Sequence, residues 1–340
     1  MSAKESIIPV FVPHLGCPND CVFCNQRRIS GSAVPATAED VENAIKNAAA
    51  LPRTGAKRQL AFYGGSFTAI PTAEQESLLS AAYSHLLGGE IDSIRLSTRP
   101  DAIDAEILAR LRRYGVETIE IGAQSMDERV LLLAGRGHTA KDVENAARQI
   151  KAAGFRLILQ MMTGLPGADD ESSAETARRI IALEPDGVRI YPTVIVRDTA
   201  LCDLWEARRY TEHTVEDAVR VCARLLPMFE KACIPVIRLG LNPTDELSGG
   251  AAVGGAYHPA LGELVKSRIM REKAEKLLAG TDPGSSVTLG VNKSRISQMT
   301  GQHRCNIEYL TGKFSLKELK VKPAAVEADE IIILPQSGKR

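Results

Sequence analysis

Apolar runs rich in β-branched residues alternate along the chain with stretches whose apolar positions recur at helical spacing. Seven runs predict strands, at residues 7–13, 59–63, 93–98, 117–123, 156–162, 187–193 and 235–239. Between them, Thr37/Asp40, Thr72/Gln75, Thr139/Asp142 and Thr214/Asp217 have the spacing of a capping box or its Asp variant, so each opens a predicted helix. Val143, Ala146, Ala147 and Ile150 fall on one helical face, as do Val215, Val219, Cys222, Leu226 and Phe229. Gly115 and Gly154 close helices ahead of strands, where a left-handed residue is expected. Repeated strand–helix units predict an α/β fold with a parallel sheet. About six such units suit a partial (β/α)6 TIM-like barrel, with chemistry at the C-terminal ends of the strands. The expected division is a barrel domain at 1–275 and a small C-terminal α/β module at 276–340. In that module, short strands are expected at 287–291, 320–321 and 330–334, with a helix across 295–310.

The chemistry enters directly after the first strand. Cys17, Cys21 and Cys24 form a C-x3-C-x2-C run, three thiols on one loop, where a closed metal site usually takes four protein ligands. A zinc site would need a fourth ligand, from His14 or a distant residue. Disulfides fit poorly with an odd count of seven cysteines and no secretory h-region. Cys222 and Cys233 read as core or near-core residues, and Cys202 and Cys305 have no partner at ligand spacing. A chain of 340 residues, 44% hydrophobic, can bury a large core. Its formal net charge of zero removes any global electrostatic argument for nucleic-acid binding. No apolar run is long enough to span a membrane, and free thiols point to a reducing cytoplasm.

The cysteine spacing, with Phe23 before the last thiol, resembles the radical S-adenosylmethionine (SAM) superfamily. The resemblance implies that the three cysteines hold three irons of a [4Fe-4S] cluster, while the amino and carboxylate groups of SAM chelate the fourth. Strand-end motifs extend it. After the second strand, Tyr63-Gly64-Gly65-Ser66 occupies the place of a Gly-Gly-Glu motif that accepts from the SAM amino group. Ser66 replaces the usual Glu, which shifts that role to the glycine backbone. Ser97, Thr98 and Arg99 end the third strand and suit SAM ribose or substrate, although Arg99 is equally placed to pair with Asp101. Glu120 lies inside the fourth strand and Gln124 at its end, so these polar groups face a site or need buried partners. Gln124 and Arg136 match residues that related families use on SAM, the Arg toward its carboxylate. His138 reads as structural or close to SAM rather than as an acid–base group. Gln160 and Met162 precede Gly164-Leu-Pro166, resembling the turn near which the adenine stacks.

Together these motifs resemble the radical SAM half of the Elongator catalytic-subunit family, including its bacterial short forms. The matching stretches include Phe62-Tyr-Gly-Gly-Ser-Phe-Thr68, Ser97-Thr-Arg-Pro-Asp101, Glu120-Ile-Gly-Ala-Gln-Ser125, Arg136-Gly-His-Thr139 and Ile190-Tyr-Pro-Thr193, across roughly residues 7 to 270. Two departures are Arg189, where Lys is common, and Asp198, where Gly is usual. The family acetylates wobble uridine of tRNA and needs an acetyltransferase-like domain, for which the residues after the match are too few. An acetyl-CoA-like pattern at 28–33 lies in the wrong context. The expected function is therefore a cytoplasmic radical SAM enzyme acting on a nucleotide or tRNA base. It would take one electron from a flavodoxin- or ferredoxin-like donor, with Tyr191 and Arg189 on the substrate side. A small-molecule or porphyrin-like substrate and a non-catalytic iron–sulfur scaffold stand as alternatives. Between residues 285 and 322, seven Lys or Arg stand against two acidic residues, a composition that can meet RNA phosphates or simply form a solvated face.

Overall fold

A computed structural model describes residues 5–12, 17, 21–25, 36–51 and 56–335. They fall into two compact units, one within Met1–Ala218 and Leu225–Tyr257, the other within Val219–Arg224 and His258–Arg340. The first unit carries seven parallel strands: β1 (Glu5–Val12), β2 (Lys57–Gly64), β3 (Ser93–Thr98), β4 (Val116–Gln124), β5 (Arg156–Thr163), β6 (Gly187–Pro192) and β8 (Val236–Leu239). They pair in the order β1-β2-β3-β4-β5-β6-β8 and curl into a half-barrel, the partial TIM-like architecture expected. Each expected strand is present to within two residues at either end. A short antiparallel pair, β7 (Val194–Val196) with β9 (Ala252–Gly255), follows the sixth strand.

Helices connect the strands: α1 (Ala38–Ala49), α2 (Thr72–Leu87), α3 (Ala105–Arg113), α4 (Glu128–Leu133), α5 (Ala140–Ala152), α6 (Asp170–Ala182), α7 (Ala200–Glu206) and α8 (Val215–Lys231). Thr37, Thr139 and Thr214 each form the expected capping box with the Asp three residues on. Thr72 does not. Pro71 takes the N-cap position of α2 without a side-chain bond. Gln75 instead turns inward and donates its amide to the carbonyls of Thr68 and Ile70. Gly115 and Gly154 are left-handed, at φ 68 and 76. Cys233 departs from its core assignment: it is exposed, with φ 57, just past α8, whereas Cys222 is buried.

Strand alternation explains where the site lies. Leu60, Phe62, Leu96, Ile119, Ile121, Leu157, Leu159, Val188 and Ile190 are buried on one face of the sheet. Tyr63, Ser97, Glu120, Gly122, Gln160 and Arg189 occupy the intervening positions, hence the opposite, inner face. A parallel sheet covered on both sides would carry apolar residues on both. Here the inner face is polar.

In the second unit, α9 (Leu261–Leu278), α10 (Ile296–Thr300) and α11 (Cys305–Lys313) accompany a sheet of β10 (Ser286–Val291), β11 (Glu318–Pro323) and β12 (Ile331–Ile333), in the order β11-β10-β12. Its core is built from Ala274, Leu278, Leu289, Val291, Met299 and Leu310. The single helix expected over 295–310 is two. Gly301 at φ 77, then His303 and Arg304 at φ 49 and 64, break it.

Candidate active site

The cysteine loop is tethered on both sides by backbone bonds. The Val22 N–H donates to Ala134 O at 3.1 Å, and Leu201 N–H donates to Val22 O at 2.7 Å. These two bonds fix the loop between the end of α4 and the start of α7. Phe23 packs with Met162 against Val130, Ala134 and Leu165, so two residues expected near SAM share one apolar cluster. Cys21 is buried, Cys24 half-buried and Cys17 exposed, and none of the three is in a disulfide. Among the described residues, no three His, Cys, Asp or Glu side chains are gathered as a metal-binding group. His14 and the pattern at 28–33 lie outside the described residues.

Ser66, just past β2, and Arg136, after α4, make polar contacts to this loop, and further residues hold them in place. Gly64 has φ 107, and a Cβ there would meet Val12 O at 3.3 Å, so only glycine lets β2 end so close to β1. The Gly65 N–H donates to Val12 O at 2.7 Å. Ser66, buried, places its hydroxyl 3.5 Å from Cys17 Sγ. Arg136 donates to Cys21 Sγ at 3.2 Å and to Gly122 O at 2.9 Å. Arg99 fixes Arg136 in turn. It donates to the Arg136 carbonyl and makes a two-pronged pair with Asp101, both bonds at 2.9 Å. Thr98 lies on the other face of β3, its hydroxyl 2.6 Å from that of Thr68. Thr98 and Arg99 thus buttress the site from behind.

The fourth strand ends with a bulge. Gln124 sits in the left-handed region at φ 66, and the pairing with β5 shifts between Gly122 and Gln124. Its Oε1 accepts from Gln160 Nε2 at 3.0 Å, so the two expected amides meet. A Cβ on Gly122 would stand 2.9 Å from Gln124 Nε2. His138 is buried with Nε2 3.3 Å from Ala123 O. Burial first, then the Arg136 cation, lowers its pKa to about 4. It is therefore neutral near pH 7 and donates its Nε2–H to that carbonyl.

On the inner face, Arg189 binds three partners. Its Nε donates to Glu120 at 2.9 Å, one terminal nitrogen to Tyr191 Oη at 3.1 Å and the other to Tyr63 Oη at 2.9 Å. Burial works against the cation, but Glu120 and the two phenols hold its pKa above the ordinary arginine value. Burial also raises Tyr191, only partly offset by Arg189, so the phenol stays protonated. Glu120 is the residue whose role the sequence leaves open. Its signal is an acid inside an apolar strand, and its partner is Arg189 one strand beyond its neighbour. His213 and Tyr210 carry no signal in the sequence. Tyr210 donates to Gly164 O at 2.5 Å, and the His213 ring occupies the space a Cβ on Gly164 would need. Asp198 is left-handed at φ 57.

The donor set fits an iron–sulfur cluster: three soft sulfur ligands on one loop, with one coordination position left for another group. Similarity to known proteins agrees. The radical SAM superfamily matches residues 11–180, and the radical SAM C-terminal domain matches residues 185–271. Human Elongator complex protein 3 is 30% identical over 185 residues, 48% of this chain and 34% of that protein. The tRNA uridine(34) acetyltransferase of Methanocaldococcus jannaschii is 24% identical over 62% of this chain and 41% of that protein. The chain thus spans well under half the length of these relatives. The structure of the archaeal Elp3 of Methanocaldococcus infernus, lacking residues 1–46, superposes with a TM-score of 0.62 at 20% identity, covering 81% of this chain and 64% of that one. No described helix is long and apolar enough to cross a membrane. With half of its length matched by the superfamily, the chain is a radical SAM enzyme, a member of the superfamily whose cofactors are SAM and a [4Fe-4S] cluster.

Proposed function

We propose that this enzyme modifies a base of tRNA by radical chemistry in the cytoplasm, taking its electron from a flavodoxin- or ferredoxin-like donor. The observation that carries the reading is the similarity of its core to a tRNA uridine(34) acetyltransferase. When bound, the cluster and SAM supply a 5′-deoxyadenosyl radical that abstracts hydrogen from substrate. Cys17, Cys21 and Cys24 would hold the cluster. Arg136, donating to Cys21 Sγ, would help to orient that ligand. The Gly64-Gly65 turn, Ser66, Gln124 and Gln160 are the groups we assign to SAM, with Thr98 and Arg99 behind. Phe23 and Met162 form an apolar wall that excludes water from one side. Tyr191 and Arg189 face the substrate.

The test is to incubate the reconstituted, reduced protein with SAM and bulk tRNA, then digest the RNA to nucleosides. A mass-shifted nucleoside, with 5′-deoxyadenosine formation stimulated by tRNA, is expected. Unchanged nucleosides and no stimulation would sink the RNA reading.

A further inference from the structure

The phenols of Tyr63 and Tyr191 each accept a hydrogen bond from Arg189, at 2.9 and 3.1 Å. A phenol oxygen that accepts from a guanidinium still has its own O–H to place. Among the described residues, neither O–H has an acceptor: Glu120 is engaged with the Arg189 Nε, and no other carboxylate or carbonyl is bonded to either phenol. The two hydroxyls are bridged by one guanidinium, so they stand side by side at the ends of β2 and β6. A cation at each oxygen also polarises its O–H bond and makes it a stronger donor.

We propose that Tyr63 and Tyr191 form a two-donor pocket for a carbonyl or carboxylate oxygen of the substrate, with Arg189 and Glu120 as the positioning residues that aim it. Resting on the nucleotide reading above, the pocket specifies which part of the substrate is gripped: an oxo group, such as a pyrimidine carbonyl, and not an amino group. Arg189 offers no acceptor to an incoming amine, and each phenol, already accepting from Arg189, keeps its own O–H to give. A substrate that brings only N–H groups here would leave both O–H donors without an acceptor. Such unpaired polar groups are what a buried site discriminates against most strongly.

The experiment is isothermal titration of the reconstituted, SAM-loaded protein with uridine and, separately, with acetate. Wild type is compared with Tyr63→Phe, Tyr191→Phe and the double variant, after circular dichroism has confirmed that each is folded. Each Phe removes one donor to a polarised acceptor and should weaken probe binding by about tenfold, the double variant by more than either. Uridine binding that is identical in all four proteins would overturn the pocket while leaving the nucleotide reading standing. Acetate binding that depends on both phenols, with no uridine binding, would support the pocket and count against the nucleotide. A loss of SAM affinity with probe affinity intact would assign the phenols to the cofactor and overturn the proposal. Arg189→Lys is the positioning test. A lysine cannot hold two phenols and a carboxylate in one plane, so probe affinity should fall although charge is kept. Unchanged affinity would remove Arg189 from the argument and overturn its part.

Discussion

Glu120 and Arg189 show how a single buried charge is made tolerable. The carboxylate side chain is 4% exposed and the guanidinium side chain 12%, so neither can rely on water. Glu120→Gln keeps the shape and one acceptor but leaves the cation without a counter-charge. Breaking a buried pair from one side costs about 3 kcal/mol. The denaturant midpoint should fall while the slope stays constant, and an unchanged midpoint would mean that the phenols alone sustain the cation. His138 makes a second residue-scale prediction. Its folded pKa of about 4 lies below the unfolded value, so the unfolded chain takes up the proton first. Stability from the neutral ring is complete above the unfolded pKa and is lost as pH falls toward the folded one. Over that window the loss approaches about 3 kcal/mol, from the 1.36 kcal/mol of each pKa unit. Carboxylates such as Asp142 also titrate on the acid side, so the difference between wild type and His138→Gln isolates the ring. The variant should lose stability less steeply between pH 6.5 and 4, and parallel curves would refute the assignment.

At the scale of elements, the sequence is legible wherever a residue type announces its own conformation. Gly154 and Cys233 make the comparison direct. After α5, Gly154 N–H bonds to Lys151 O and Phe155 N–H to Ile150 O. After α8, Cys233 N–H bonds to Glu230 O and Ile234 N–H to Phe229 O. Both are the same Schellman turn with a left-handed residue at C′. The glycine declares its turn and the cysteine does not, which is why the sequence pattern puts Cys233 in the core. The strands are legible because their apolar positions alternate or run together over five residues or more. The start of α2 is not, because Gln75 answers to loop carbonyls that no local pattern reveals. The cysteine loop is legible from spacing, and the Arg189 network only from register, which brings Gln160 opposite both Arg189 and Gly122 and so puts Glu120, two residues before Gly122, on the same face one strand further away. The C′ comparison yields its own prediction. Cys233→Gly removes the steric cost of the left-handed backbone and should raise stability by about 0.5–1 kcal/mol. Calorimetry showing a lower melting temperature would mean that the thiol makes an interaction worth more than the strain.

At the scale of the molecule, the matched families end at residue 271, and the charge imbalance begins just beyond, in the second unit. Strand β11 lies at one edge of its sheet and turns Lys320 and Lys322 to solvent, with Lys317 just before it. Lys320 is bonded to Glu318 at 2.8 Å, an exposed pair that contributes little to stability and can be given up to a phosphate. If tRNA is the substrate, this edge is where its backbone would find cations without any base being read. Net charge cannot report such a patch, because the chain as a whole is balanced at zero. Reversing both lysines, Lys320→Glu with Lys322→Glu, should weaken tRNA binding and lower the slope of log affinity against log salt by about one for each phosphate no longer neutralised. Iron content and melting temperature should match wild type, since both side chains are exposed. An unchanged salt slope would return the edge to an ordinary solvated face and leave recognition of the RNA to the first unit.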